Sequence, residues 1–135
     1  MAAKLISIDS FADSRGNLIV GEFPKSLPFD PVRFFVVSDT PAGGSRGNHA
    51  HRTNQQVLFC LTGTVHVKVY DSNGWEEFTL TPGTQGLYLP ALHWGEQVYL
   101  SSDTTLLVLA SETFSAEGYI ESLEELDSYV ANRNS

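Results

Sequence analysis

Seven consecutive residues, Thr64-Val65-His66-Val67-Lys68-Val69-Tyr70, alternate polar and apolar without a break. Successive side chains of an extended chain point to opposite faces, so the run sets three valines on one side and the polar residues on the other. No helix makes such a segregation, because residues two apart in a helix do not share a face. Asp71-Ser72-Asn73-Gly74 follows, and Asn-Gly is the strongest short hairpin signal because both residues tolerate positive φ. Trp75-Glu76-Glu77-Phe78-Thr79-Leu80 then reads as the returning strand. His66, on the polar face, reads as a structural residue.

The rest of the chain repeats this grammar. Asn17-Leu18-Ile19-Val20-Gly21-Glu22-Phe23 and Val32-Arg33-Phe34-Phe35-Val36-Val37 are rich in β-branched and aromatic residues and bounded by Pro, Gly and Asp. Residues 56–61 form a further run, and Thr81-Pro82-Gly83 turns the chain into Gly86-Leu87-Tyr88-Leu89. Residues 104–110 are apolar on both faces, which predicts a central strand. Only the C-terminus reads as a helix. Ser122-Leu123-Glu124-Glu125 fits a capping box, and Leu123, Leu126, Tyr129 and Val130 then fall on one side. There is no internal repeat, low-complexity stretch or linker, and 135 residues suit one domain spanning 1–135. Many short strands separated by turns predict an all-β sandwich or barrel with a short C-terminal α-helix.

Charge and composition narrow the partners. Apolar residues make up 41% and charged residues 18%, a globular balance. The net charge of −8 argues against nucleic acid or an anionic membrane. No apolar run approaches the ~20 residues that span a bilayer, and the N-terminus lacks signal-peptide features, so a cytoplasmic location is the default expectation. Cys60 is the lone cysteine and sits in an apolar run, which predicts a buried small hydrophobe. The charge is unevenly spread. Residues 1–68 carry seven of the eight Lys and Arg against five acids, whereas 69–135 carry Arg133 alone against eleven. An anionic small molecule would therefore draw on the first half, where Arg15, Arg33, Arg46 and Arg52 lie.

The most informative stretch is Ser45-Arg46-Gly47-Asn48-His49-Ala50-His51-Arg52. In an extended segment His49 and His51 project together while Ala50 points away. Two adjacent imidazoles make either a metal site or a proton-handling pair, since the unperturbed pKa of about 6.5 lies near cellular pH. Gly47-Asn48-His49-Ala50-His51, then Gln55 or Gln56, then Gly63, resembles the first motif of the cupin superfamily, and residues 90–93 lie where the second would supply another histidine. The resemblance implies a cupin jelly-roll β-barrel. Where a metal-binding cupin has glutamate this chain has Gln55 and Gln56, neutral amides that are poor ligands for a divalent metal. A three-nitrogen site of His49, His51 and His93 stays open as a metal-dependent alternative.

A closer resemblance spans nearly the whole chain. Asp13-Ser14-Arg15-Gly16, Arg46 to His51 as quoted, Gln56-Val57-Leu58, Gly86-Leu87-Tyr88, Trp94 and Leu107-Val108-Leu109-Ala110-Ser111 are together similar to the metal-independent sugar-nucleotide 3,4-ketoisomerases, the WxcM-like proteins of FdtA and QdtA type. That resemblance implies a homodimer, often with an N-terminal strand exchanged, a dTDP-linked 4-keto-6-deoxysugar as substrate, and no metal or organic cofactor. It carries the family's His-x-His pair onto His49 and His51, the second as base. Moving a carbonyl from C4 to C3 needs a proton taken from C3 and one returned to C4 through an enediol, which paired imidazoles suit. His51 is accordingly expected as the C3 base and His49 as hydroxyl-proton partner.

Two phosphates call for cationic donors, for which Arg46 and Arg15 are the best candidates and Arg33 the third. Tyr88 and Trp94 are candidates to line the pocket, with a core role equally open to them. The chain departs from the family in two places. Phe34-Phe35-Val36 lacks a tyrosine commonly found there, and Gly95 follows Trp94 where His or Arg is usual, so His93 is the candidate to fill that space. A cupin that binds a nucleotide sugar without catalysis is the remaining alternative.

Overall fold

The computed structural model describes residues 2–23 and 25–134. Among them the strands are β1 (Lys4–Ser7), β2 (Asp9–Asp13), β3 (Gly16–Val20), β4 (Arg33–Val37), β5 (Gly44–His51), β6 (Gln56–Thr62), β7 (Val65–Asp71), β8 (Gly74–Leu80), β9 (Gln85–Leu89), β10 (Trp94–Tyr99), β11 (Thr105–Ala110) and β12 (Tyr119–Ile120). One α-helix, α1 (Leu123–Arg133), follows. Val65, Val67 and Val69 are buried on one face of β7, as their spacing requires, and Asp71 pairs with Gly74 to close the hairpin with β8. The turn is centred one residue earlier than the Asn-Gly signal suggests. Ser72 and Asn73 form the loop, Asp71 Oδ1 accepts the Asn73 N–H at 2.8 Å, and only Gly74 takes a positive φ.

Ten of these strands make two antiparallel sheets with orders β1-β9-β6-β11-β4 and β12-β5-β10-β7-β8, and β2 and β3 form a separate two-stranded sheet. Leu58, Cys60, Leu87, Leu106 and Val108 from the first meet Val65, Val67, Val69, Leu80 and Tyr99 from the second in one core. Each such fully buried aliphatic side chain contributes about 1.5–3 kcal/mol. The result is the expected all-β jelly roll with a C-terminal helix, although the sheets are not joined by hydrogen bonds into a closed barrel. Residues 104–110 yield β11, which pairs with β6 on one side and β4 on the other, a central strand. Cys60 is buried within the core.

At the helix start, Ser122 Oγ accepts the Glu125 N–H at 3.0 Å. The returning half of the box lands one residue earlier than the pattern predicts, Glu125 Oε2 accepting from the Glu121 N–H at 3.2 Å. Leu123, Leu126, Tyr129 and Val130 pack with Ala50, Trp94 and Ile120, fixing α1 over the outward face of the second sheet. Arg52 ties this layer down. Its guanidinium donates to the carbonyls of Glu117 and of Tyr119 (3.0 Å), pairs with Glu125 at 3.2 Å, and stacks on the Tyr129 ring.

Candidate active site

β5 carries the histidine pair, and its backbone is irregular just before it. His49 lies opposite Gly95 and Gly47 opposite Glu96, so Asn48 is an extra residue, a β-bulge. Gly47 and Asn48 both adopt positive φ, +87° and +61°. Glycine is needed at 47, because a Cβ there would stand 2.8 Å from the Gly95 carbonyl oxygen. The bulge has a chemical effect. Residues 46 and 49 are an odd number apart, so strict alternation would send them to opposite faces. With Asn48 taken out of phase, Arg46 pairs with Gln97 and His49 with Gly95, and both turn into the same cavity.

The His49 and His51 rings lie 4.9 Å apart, nearly perpendicular at 86°. His49 Nδ1 is 3.0 Å from the Gly47 carbonyl oxygen, which fixes the tautomer: Nδ1–H donates, and Nε2 carries the lone pair. His51 is 6% exposed, and its Nε2 is buried with no hydrogen-bond partner. Burial pushes the His51 pKa from its usual 6.5 down to about 4, helped by His49 and the Arg33 charge. Burial also lowers that of His49, against the Gly47 carbonyl and Glu121, which raise it. Two neutral imidazoles at neutral pH follow, one of them an unpartnered base.

Beside the pair opens a cavity of about 450 Å³. Arg33, Phe35, Arg46, His49, Gln56, Gln97 and Tyr119 are among its walls. Arg33 and Tyr119 also wall the tight recess that holds His51, so the two spaces share those side chains. The Arg33 guanidinium stacks 4.9 Å above Phe35 and 5.7 Å from Phe114, and among the described residues no acid pairs with it. The buried Gln56 stands at the cavity wall, and Gln55 faces outward to accept the Tyr88 hydroxyl at 2.6 Å.

Four of the sequence candidates are not gathered here. Arg15 lies on the exposed β2–β3 hairpin, paired with Asp13 at 2.7 Å, because its hairpin projects from the body. Tyr88 points to the outer side of the first sheet, buried with Val57, Phe59 and Leu27. Trp94 turns outward under α1, its indole N–H donating to Glu96 at 2.9 Å, since β10 alternation sends Gly95 inward in its place. His93 occupies a separate depression, with Nδ1 2.9 Å from the Ala91 carbonyl oxygen and Nε2 3.3 Å from Asp71. The three-histidine metal site is therefore not assembled, and among the described residues no group of three or more His, Cys, Asp or Glu is placed to hold a metal ion. Where a metal-binding cupin has its carboxylate, the cavity wall here has the Gln56 amide, a poor ligand for a divalent cation.

Sequence reasoning missed Tyr119. Its ring stands 4.7 Å from His49 and 4.6 Å from His51, touching both. The only signal was an aromatic residue just ahead of the capping box, which no periodicity singles out.

A jelly roll with two contacting neutral imidazoles, one on the wall of a cavity that two arginines also line and the other in the adjoining recess, is the arrangement of a cupin-type enzyme. The family profile described as "FdtA: WxcM-like, C-terminal" matches residues 1–131, and the chain belongs to that family of 3,4-ketoisomerases. It is 37% identical over 134 residues to the TDP-4-oxo-6-deoxy-alpha-D-glucose-3,4-oxoisomerase of Aneurinibacillus thermoaerophilus, covering 99% of this chain and 96% of that one. A 3,4-ketoisomerase from Helicobacter canadensis superposes with a TM-score of 0.92 at 31% identity, covering 97% and 98% of the two chains. The 3,4-ketoisomerase QdtA of Thermoanaerobacterium thermosaccharolyticum, in complex with TDP, gives 0.91 at 30% identity, covering 97% and 96%.

Proposed function

We infer that this chain is a dTDP-4-keto-6-deoxyhexose 3,4-ketoisomerase, serving deoxysugar or aminosugar synthesis. The observation that carries the reading is the pair of contacting, neutral imidazoles beside a cavity lined by Arg33 and Arg46. The neighbouring ketone acidifies the C3 proton. His51, its Nε2 unpartnered, takes that proton, and the C3–H electrons form the C3–C4 double bond as the carbonyl π electrons move onto O4. His49 Nε2 takes the O3 proton and passes it to O4, and the proton held by His51, exchangeable with solvent, goes to C4, so the carbonyl stands at C3 and no atom is gained or lost overall. The diphosphate sits against Arg33 and Arg46, whose planar forks suit it. A diphosphate beside Arg33 also offsets the positive charge that helps keep the His51 pKa low. Substrate binding thus raises the basicity of the group that must act on it.

A homodimer belongs to the same reading. Among the described residues hairpin β2–β3 forms a sheet of its own and exposes Phe11 (62%) and Leu18 (60%), while the outer face of the first sheet exposes Phe34 (65%) and Val36. These surfaces are apolar enough to need a partner. In a strand-exchanged form a second copy's β1 would take the register that β1 holds here against β9. Arg15, carried away from its own cavity by the hairpin, enters the reading through the second copy. A cytoplasmic location suits a nucleotide-activated substrate.

The test is incubation with dTDP-4-keto-6-deoxyglucose in D2O, followed by NMR of the ring protons. A C3 ketone with deuterium at C4 is expected, and His51→Ala and His49→Ala should each lose at least ~100-fold in rate. Binding without proton exchange would make the chain a sugar-nucleotide binder only. Wild-type rates in both variants would overturn the assigned roles.

A further inference from the structure

Tyr119 is held in place more firmly than a two-residue strand requires. β12 lies on the edge of the second sheet, with Tyr119 opposite His51 and Ile120 opposite Ala50. Arg52, directly after His51, donates its backbone N–H to the Gly118 carbonyl at 2.8 Å and its guanidinium to the carbonyls of Glu117 and Tyr119. Ile120 is fully buried against Trp94 and Leu126. The backbone that carries the ring is therefore pinned on both sides.

The ring itself closes a triangle. It meets His49 at 4.7 Å and 37°, and His51 at 4.6 Å and 72°, while the imidazoles meet each other at 4.9 Å. All three separations fall in the range where aromatic pairs attract. His49 has a second restraint in the Gly47 carbonyl, but the buried Nε2 of His51 has no hydrogen-bond partner to orient it. The plane of the His51 ring is left to packing, and Tyr119 supplies a wall of that packing on the side shared with the cavity.

We propose that Tyr119 is a positioning residue of the isomerase, its ring fixing the relative planes of His49 and His51 and shutting water away from His51. The proposal rests on the ketoisomerase reading above. The ring, and not the hydroxyl, does this task. Other groups facing His51 are His49 on β5, Arg33 on β4, and Glu112 after β11; Glu121 acts on His49. None of them replaces the wall.

The experiment compares wild-type enzyme with Tyr119→Phe and Tyr119→Leu, reading kcat, KM and the pH profile of kcat/KM on dTDP-4-keto-6-deoxyglucose. Misplacement of a reacting group by ~1 Å costs about 100-fold, so Tyr119→Leu should lose about 30- to 100-fold in kcat with KM little changed. Its acid limb should also move up toward the ordinary histidine value, because water now reaches the ring. Tyr119→Phe should keep the wild-type rate and limb. Should Tyr119→Leu fail to fold, Tyr119→Met, which fills irregular volume flexibly, reads the same quantities. Near-wild-type kcat and an unmoved limb in the Leu or Met variant would overturn the proposal, and so would a loss in Tyr119→Phe as large as in Tyr119→Leu. An inactive wild-type enzyme would instead refute the ketoisomerase reading itself.

Discussion

Lowering the pH from 7.5 to 5 should weaken this fold, and the contribution of His51 can be worked out. Above pH 6.5 His51 is neutral whether the chain is folded or not, and it contributes nothing to the difference. Between pH 6.5 and about 4 the unfolded chain accepts a proton that the folded protein declines, because burial, His49 and Arg33 oppose it. Stability therefore falls as the pH falls through that window, and the loss is complete below about 4. At about 1.4 kcal/mol per pH unit, the full penalty is about 3 kcal/mol, of which about 2 kcal/mol has accrued by pH 5. Urea unfolding of wild-type protein and His51→Asn at both pH values isolates the effect, since the carboxylates titrate in both. The wild-type protein should lose about 2 kcal/mol more than the variant. Catalysis supplies a second readout: the acid limb of kcat/KM that His51→Asn removes should lie near 4, whereas a base titrating at 6.5 would cost about 30-fold between pH 7.5 and 5. Equal losses of stability in the two proteins, together with a rate limb near 6.5, would refute the reasoning.

Two further outcomes are expected. Arg33→Ala and Arg46→Ala should each weaken dTDP binding by about ten- to a hundredfold in calorimetry, the value of a charge-assisted contact, and unchanged affinity in both would place the diphosphate elsewhere. Light scattering should show a dimer that Leu18→Glu combined with Phe34→Glu converts to monomer; a monomeric wild-type protein would end the homodimer proposal.

The fold was legible wherever one face of a strand is buried and the other is wet. β7 and its hairpin, β6 and β11 announce themselves by alternation or by apolar runs, and Ser122 marks the helix start. β10 does not: Glu96 and Gln97 sit mid-strand, polar because one salves Trp94 beneath α1 and the other faces the cavity. β2 and β3 form a two-stranded hairpin apart from both large sheets, and Asp9–Asp13 is exposed along its whole length, so it has no buried face to betray it. Within the site, i and i+2 spacing was enough to bring His49 and His51 to one face. Proximity along the chain was a poor guide for His93, Tyr88 and Trp94, because pleating sends neighbours in opposite directions and the loop before β10 carries His93 outside. The departure at Gly95 acquires a physical meaning from the packing: it lies across from His49, and a Cβ there would stand 3.1 Å from the Leu89 side chain.

The extra residue at Asn48 makes the reaction depend on counting. Arginine and imidazoles stand at odd separation along one ribbon, and a single out-of-step unit restores their parity. Deleting it would leave every reagent in the chain and yet rotate either the anion's anchor or both bases out of the chamber. This stretch is thus held in its length as strictly as in its letters.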